Sequence, residues 1–323
     1  MPVVAKLLYE RSCKIASATL TRAVPKTRVA AHRMPLTHGL PTWLVNLPFL
    51  ALHLICIGIF FSGIHSLDLM LCAMCYFARM FGITAGYHRY FSHRAYKTSR
   101  PFQFFMACLG CCAMQKGPLW WSAHHRHHHR FSDTEDDPHS PVVRTIWWSH
   151  IGWILAKDHE ETDAAAVRDW LRFPELRWLN VFHWMPGMVL GFVCWWIGGW
   201  SGLLWGFCVS TVLLYHGVFT VNSLCHLFGR RRYATNDQSR NNLFVALITL
   251  GEGWHNNHHH YQSSAKQGFF WWEIDVSYCL LKFLNCLGLV WDIRKPTQKA
   301  LDEQIHINAE CQGRQACQTC QTP

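Results

Sequence analysis

The sequence predicts an all-α membrane protein: four transmembrane helices, with histidine-rich segments gathered on one face. Three observations carry this. Half of the 323 residues are hydrophobic and only 15% are charged, against about a quarter in soluble domains. Stretches of bilayer length hold no Asp, Glu, Lys or Arg. Histidine is concentrated at residues 88–93, 124–129 and 255–260, each group bordering an apolar run. The 17 Trp and 20 Phe suit interfacial belts and lipid-facing surfaces. The net charge of +10 lies beside the apolar spans, not in one solvated stripe. That favours an anionic leaflet or an anionic substrate head over nucleic acid.

Residues 1–40 are expected to form a basic cytosolic tail, with Arg11, Lys14, Arg22, Lys26, Arg28 and Arg33 against the single acid Glu10. The tail lacks the apolar core of a secretory signal. An Arg-rich, acid-poor start also fits a mitochondrial presequence. The first span is expected at about 43–61, with His53 inside it as a packed, hydrogen-bonded core residue. A short turn leads to the second span at about 67–85. Asp68 lies at one end, and Arg79 is close enough to the other to snorkel. Residues 86–177 are polar. Within them 102–114 is apolar but too short to cross, and 160–175 reads as a solvated amphipathic helix. Residues 178–229 hold no acid, Lys or Arg and suit two further spans, at about 181–197 and 203–221. The break falls at Gly198-Gly199-Trp200-Ser201-Gly202. Arg230, Arg231 and Arg232 then mark the cytoplasmic side. Both inter-helix turns are short and uncharged, so the termini and all three histidine groups share that side.

The 15 cysteines act mostly as small hydrophobes in apolar sequence. Cys72/Cys75 and Cys108/Cys111 have helical i,i+3 spacing. Cys317/Cys320, in the polar tail 297–323, is a weak metal or redox pair. Nothing resembles a secreted disulfide framework.

Clustered histidine points to iron, zinc or copper. On a helix, positions i, i+3 and i+4 share one face, so an H-x-x-H-H unit aims three imidazoles one way. His125/His128/His129 and His255/His258/His259 both do this, although His124/His127/His128 fits the central run equally. His88 and His93 are five apart and diverge by about 140° on a regular helix. They converge only if the second span ends between them, or else they meet different metals. Eight imidazoles exceed the roughly four to six ligands of one metal, which implies two metals. No His-Glu-x-x-His zinc motif is present. The bland alternative is a run of surface histidines.

Gly82-Ile83-Thr84-Ala85-Gly86-Tyr87-His88-Arg89-Tyr90-Phe91-Ser92-His93-Arg94 resembles the first histidine box of membrane fatty-acyl desaturases of the stearoyl-CoA type. His125-Arg126-His127-His128-His129-Arg130-Phe131-Ser132-Asp133, followed by Asp137-Pro138-His139, resembles the second. Gly251-Glu252-Gly253-Trp254-His255-Asn256-Asn257-His258-His259 resembles the third, and Asn222-Ser223-Leu224-Cys225-His226 a further element. The resemblance covers about residues 40–296, a single desaturase domain spanning 41–296, and selects the His125/His128/His129 register. It implies four membrane helices under a cytosolic helical cap that holds a dinuclear non-haem iron centre. His88, His93, His125, His128, His129, His226, His255, His258 and His259 become the ligands. One iron takes His93, His128, His129 and His259 with neighbours, the other takes the rest, and Asn222 holds a water on one of them. His124, His127, His139, His150 and His260 are left as outer-shell or surface residues.

The resemblance further implies O₂ as cosubstrate and an acyl chain in a kinked apolar tunnel, with Gln115 and Trp121 lining the kink. Tyr76 and Met80, i,i+4 on the second span, are expected at the tunnel's closed end, with plain helix packing as the alternative. Lys116 and Ala123 stand where animal acyl-CoA enzymes carry Asn and Arg, so both acyl-CoA and acyl-lipid substrates stay open. No haem or flavin motif is fused to the chain, so electrons are expected from a separate donor such as cytochrome b5, a ferredoxin or a reductase. The expected activity is cis-Δ9 desaturation in the endoplasmic reticulum or the bacterial inner membrane, with the active site facing the cytoplasm. A membrane di-iron hydroxylase of lipids or alkanes is the nearest rival. A His-rich metal transporter is a rival of another class.

Overall fold

The computed structural model describes residues 41–303. The basic tail and the Cys317/Cys320 pair lie outside them. Helix α1 (Thr42–Ile55) runs on through a tighter turn at Cys56–Gly58 to Ser62, so Trp43–Ser62 is one apolar helix long enough to cross a membrane. Inside it His53 Nδ1 faces Phe49 O at 2.7 Å, and its Nε2 lies 3.3 Å from His216 Nε2. Gly63, at φ +69, turns the chain. Helix α2 (Ser66–Phe81) opens on a reciprocal cap in which the His65 N–H donates to Asp68 Oδ2 at 3.2 Å. Asp68 is therefore buried as a capping group.

Helix α2 does not stop near residue 85. It continues into wider i→i+5 turns over Gly82–Ser92, giving an apolar helix Ser66–Ser92 of 27 residues. Helix α3 (Arg100–Cys111) lies hard against this extension. A Cβ on Gly82 would stand 2.7 Å from the Leu109 carbonyl carbon, and one on Gly110 would sit 2.2 Å from the Tyr87 ring. The short apolar segment around 102–114 thus packs one face, Gln103, Met106, Ala107, Gly110 and Cys111, into the core and leaves Phe105 exposed on the other. Arg79 does not snorkel: it is 1% exposed. Its Nε donates to Cys75 O (2.8 Å), and its Nη1 to Thr211 Oγ1 (2.6 Å) and Cys112 O (3.3 Å). Nη2 donates to Ser210 Oγ. At this depth polar acceptors of neighbouring helices are nearer than water.

Helices α4 (Pro118–Phe131) and α5 (Pro174–Val181) follow, with short helical turns at Trp148–Gly152, Trp153–Leu155, Lys157–His159 and Arg168–Leu171 between them. Residues 160–175 do not form one solvated helix. Asp163 caps a turn through the Ala165 N–H (2.9 Å), only Arg168–Leu171 is helical, and Pro174 starts α5 afresh. Trp170, 3% exposed, anchors the segment in the core instead of leaving it in solvent.

The third long apolar helix, Met185–Leu224, has 40 residues. It comprises α6 (Met185–Gly202), i→i+5 turns over Leu203–Val209, and α7 (Ser210–Leu224). A straight helix of that length would measure about 60 Å, twice the hydrocarbon thickness. Gly199, at φ +60 and ψ −148, breaks the direction. The limbs then pack on each other: a Cβ on Gly206 would stand 2.9 Å from Cys194 Sγ, and one on Gly191 3.4 Å from the Phe207 ring. The expected five-residue break shrinks to one glycine, and the limb begins at Met185 because Val181 ends α5. Among the described residues, then, three helices are long and apolar enough to cross a membrane, the third being a hairpin.

Three shorter helices follow, α8 (Leu243–Ile248), α9 (His255–His260) and α10 (Val276–Cys286), and residues 298–303 are helical again. A two-residue antiparallel pair, β1 (Lys97–Thr98) with β2 (Val290–Trp291), is the one sheet among the described residues. The main core, including Met80, Tyr87, Phe91, Met106, Leu119 and Leu281, meets the histidines through Trp121, whose ring lies between Tyr87 and His125.

Candidate metal centre

The i→i+5 turns of Gly82–Ser92 resolve the spacing problem of the first group. The His93 N–H donates to His88 O at 3.2 Å, five residues back. Residues five apart then lie about one turn apart, and the two imidazole rings stand 4.9 Å from each other. Helix α4 starts at Pro118 after Gly117, and its first free amides are capped from α5. Asn180 Oδ1 accepts from Leu119 N (3.1 Å) and Trp120 N (2.9 Å). Helix α9 is short and depends on its asparagines. Asn241 Oδ1 accepts from Asn256 N (3.0 Å) and Asn257 N (3.1 Å), and Asn257 Nδ2 donates to Glu273 Oε2 (2.9 Å).

Two arginines, Arg89 buried and Arg126 part-buried, bind the three segments together. Arg89 Nη1 donates to Asp275 Oδ1 (2.9 Å) and Ala265 O (2.8 Å), and its Nη2 to Glu252 Oε1 (2.9 Å). Arg126 donates to Ser92 O (2.9 Å), Phe91 O (2.8 Å), Ala166 O (2.7 Å) and Asp169 Oδ1 (2.9 Å). The first joins the His88 segment to the His255 segment, and the second joins it to α4.

Nine imidazoles converge in two groups that share no residue. His88, His93, His125, His129 and His258 form one; His128, His226, His255 and His259 form the other. In the first, Nε2 atoms follow one another around a ring: His88–His258 3.0 Å, His258–His129 2.9 Å, His129–His125 2.9 Å, His125–His93 2.8 Å. In the second, His226 Nε2 and His255 Nε2 are 3.0 Å apart. Spacings near 3 Å are what ligands at right angles make around a metal with bonds of about 2.1 Å. The Nε2 atoms of His128 and His259 are buried and without a hydrogen-bond partner. A donor set of buried and part-buried imidazoles with unused lone pairs fits a divalent transition metal in each group.

This division corrects the expected partition of His93, His128, His129 and His259 onto one metal. His93 and His129 belong to the first group, His128 and His259 to the second. The helix explains it. Relative to residue i, i+4 lies about 40° to one side and i+3 about 60° to the other. His125 and His129 therefore face one centre and His128 the other. His255 and His259 likewise part from His258, so α4 and α9 each serve both groups.

Carboxylates orient the imidazoles from behind. His128 Nδ1 faces Asp137 Oδ1 (3.0 Å), His226 Nδ1 faces Asp133 Oδ2 (2.9 Å), and His259 Nδ1 faces Asp237 Oδ2 (2.6 Å). His88 Nδ1 is paired with Glu252. Such partners select the tautomer that turns Nε2 toward a metal. Burial, reinforced by neighbouring imidazoles, holds His93, His125, His129, His255 and His258 well below the usual histidine range. Burial also takes His259 down to about 4, against the pull of Asp237. At His128 burial is outweighed by the charge of Asp137, and the net shift is upward. Burial pushes Asp237 up, but hydrogen bonding and charge from His259 prevail and hold it well below the carboxylate range. Asp237→Asn is expected to cut metal affinity by about 10–100-fold, read by competition with a chelator.

The other expected residues are placed as follows. Trp121 stacks on His125 (4.9 Å, 24°) and lies 6.0 Å from His88, at the edge of the five-histidine group. Gln115 keeps a buried amide nitrogen without a partner. The Tyr76 hydroxyl donates to Ile248 O at 2.7 Å. With Met80, Tyr76 packs against Gly217 of α7, where an added Cβ would meet the Tyr76 oxygen at 2.8 Å and the Met80 methyl at 3.1 Å. Asn222 lies in the last turn of α7, four residues before His226.

His124 turns Nδ1 to Trp120 O (2.9 Å), and His127 turns Nε2 to Asp136 O (2.9 Å). Both point away from the two groups. His150 bridges His216 Nδ1 (3.0 Å) and Ser223 Oγ (2.9 Å), and His260 stacks on Tyr233. His139 is not a surface residue: it is 5% exposed, beside His128. Sequence reasoning gave no role to Asp237, the asparagines of α9 or the two tying arginines. For the asparagines and arginines, alternation with histidine inside the motifs was the available signal; Asp237 lies outside the motifs.

The match to a family model agrees with this geometry. Residues 64–274 fit the model described as fatty acid desaturase. The acyl-CoA 5-desaturase AL21 of Anemone leveillei is 38% identical over 258 residues, 76% of this chain and 78% of that protein. The sn-1 stearoyl-lipid 9-desaturase of Synechocystis is 36% identical over 266 residues, 81% of this chain and 83% of that protein. The hex-5-enoyl-[acyl-carrier protein] acetylenase of Moorena producens is 36% identical over 247 residues, covering 69% and 75%. With its two histidine groups and its long apolar helices, the chain belongs to the fatty acid desaturase family.

Proposed function

We propose that the protein is an O₂-dependent, di-iron fatty-acyl desaturase that introduces a cis double bond at the Δ9 position of a saturated acyl chain. The observation that carries this is the convergence of nine imidazoles into groups of five and four, backed by carboxylates. His88, His93, His125, His129 and His258 hold one iron. His128, His226, His255 and His259 hold the other, with Asn222 positioning a water. Bound iron supplies the O₂-derived oxidising power that an unactivated C–H bond requires. The protein's own part is positioning and exclusion of water. Trp121, against His125 and His88, walls the acyl chain beside the five-histidine group, and Gln115 turns it. The pair facing Gly217, Tyr76 and Met80, closes the far end. On this reading Met80→Ala lengthens the preferred chain, and product chain lengths by gas chromatography check it.

Four crossings fit this function, α6 and α7 each making one, with both histidine groups on the cytoplasmic side of an endoplasmic reticulum or bacterial inner membrane. Electrons come from a separate cytochrome b5, ferredoxin or reductase. Acyl-CoA is the carrier proposed first. An acyl-lipid carrier is the second reading, favoured by Ala123: it is 1% exposed within the core, so no charged group at that position reaches a CoA head.

The test is expression in cells of known lipid profile, with mass spectrometry of acyl chains and His128→Ala as control. New monounsaturated chains, absent from the control, are expected, and their distribution between CoA and lipid pools separates the carriers. A chain carrying a new hydroxyl in place of a double bond would overturn the desaturase reading in favour of a hydroxylase.

A further inference from the structure

A line of touching rings leaves the four-histidine group and ends at the surface. His128, 2% exposed, has the His139 ring 4.3 Å away, and Trp153 lies 4.9 Å beyond His139. Trp153 is 6% exposed, with its ring 5.9 Å from His159. His159 stands 6.4 Å from Trp148. Both are partly exposed, and the Arg144 guanidinium covers the Trp148 ring at 4.5 Å. Trp148 Nε1 donates to Pro138 O at 3.0 Å, which fixes this outer ring to the residue preceding His139.

The inner rings are held in an unusual way. Buried Trp and His normally find hydrogen-bond partners. Here His139 Nδ1 and Trp153 Nε1 have none, and His139 Nδ1 stays 3.8 Å from Asp137. Trp120 stacks nearly parallel to Trp153 (5.9 Å, 14°). Ring contact, not hydrogen bonding, sets the column. A second series of rings, from His125 through Trp121, Tyr87 and Phe91, leads from the other group to Trp170, 3% exposed, and on to the part-buried Phe173 at 6.0 Å.

We propose that the column Trp148–His159–Trp153–His139–His128 is the entry route for electrons, and that a one-electron carrier protein docks over Trp148 and His159. This rests on the desaturase reading. Electron tunnelling weakens steeply with each through-space gap, and this column offers successive ring contacts from surface to ligand. Forming one double bond takes two hydrogens from the chain and reduces O₂ to two waters, consuming two electrons and two protons. Each passage along the column oxidises one carrier molecule by one electron and reduces the metal centre by one. The rings only mediate. Trp153 and His139 thus act through His128 as positioning residues.

The test uses full-length, iron-loaded protein without O₂ or acyl substrate. Reduced cytochrome b5 and reduced ferredoxin are offered, and oxidation of whichever the wild type accepts is followed at the carrier's own absorbance. Iron reduction by dithionite, a small reductant that needs no docking, is followed in parallel. Trp153→Leu is expected to slow transfer from the carrier about tenfold, or about 1.4 kcal/mol on the barrier, with iron content and the dithionite rate unchanged. Trp153→Phe should restore most of the rate. Equal carrier rates in wild type and Trp153→Leu overturn the route. So does equal slowing with dithionite, which marks a purely structural role. A wild type that retains iron yet accepts electrons from neither carrier nor dithionite refutes the desaturase reading itself.

Discussion

Replacing His226 with alanine is expected to leave the five-histidine group loaded, empty the other, and lower desaturation by about 100-fold or more, beyond the cost of losing an outer-shell partner. His226 closes a group of four that has no spare member. It is 1% exposed, held by Asp133 at 2.9 Å and packed with Nε2 3.0 Å from His255. Because the groups share no ligand, loss at one does not strip the other, and elemental analysis should show half the wild-type iron. His127→Ala is the matched control. It lies only one residue from His128, but its ring is turned to Asp136 O, so metal content and activity should stay at wild-type levels. A His127 variant that loses metal, beside a His226 variant that keeps it all, would reverse the assignment.

Arg89→Met should be the most destabilising single change in the polar core, by about 3–5 kcal/mol. The guanidinium is 1% exposed and serves two carboxylates and one carbonyl at once. Removing it leaves Glu252 and Asp275 buried and facing each other without a cation. Asp275 also accepts from Gln267 N (2.7 Å) and caps α10 through Tyr278 N (3.0 Å), so its displacement spreads into two further segments. Glu252 holds His88, so iron should be lost along with thermal stability, measured as the unfolding midpoint in detergent. If stability falls by less than about 1 kcal/mol, an ordinary surface-pair value, the three segments are not tied together through Arg89.

Much of this was legible in the residues, for physical reasons that differ from place to place. The apolar limbs could be read because a bilayer-length run without charges has few other uses. The break within the 40-residue helix was expected at Gly198–Gly202, and the structure narrows it to Gly199. Histidine spacing pointed to clustered ligands but left two registers open in the central run, which the family resemblance narrowed to one, and their division between two groups depends on angles within a wide helical face. His88 and His93 posed the opposite difficulty. Their spacing looked wrong because the regular helix was the reference, and no local propensity announces i→i+5 turns. Asp68 lies at the end of the second span, as expected, but Arg79 was misplaced: its partners Ser210 and Thr211 lie on an element whose approach hydropathy does not report. The residues 160–175 failed because charge pattern outweighed Trp170 and Pro174 in the reading. Asp237 lies outside any histidine motif, and only tertiary structure brings it to His259.

The wide turns of Gly82–Ser92 make the number of residues between His88 and His93 a structural quantity. Deleting one residue there would let the backbone relax to ordinary helical turns while rotating everything downstream by about 100°. Ser92 and Phe91, whose carbonyls receive Arg126, would swing out of reach together with His93. A five-residue spacing is thus a ruler: composition between the two histidines is open to change where packing allows, but length is not. Any chain built on this plan with one residue more or fewer at that point has to rebuild the seat of α4 as well as the first metal group.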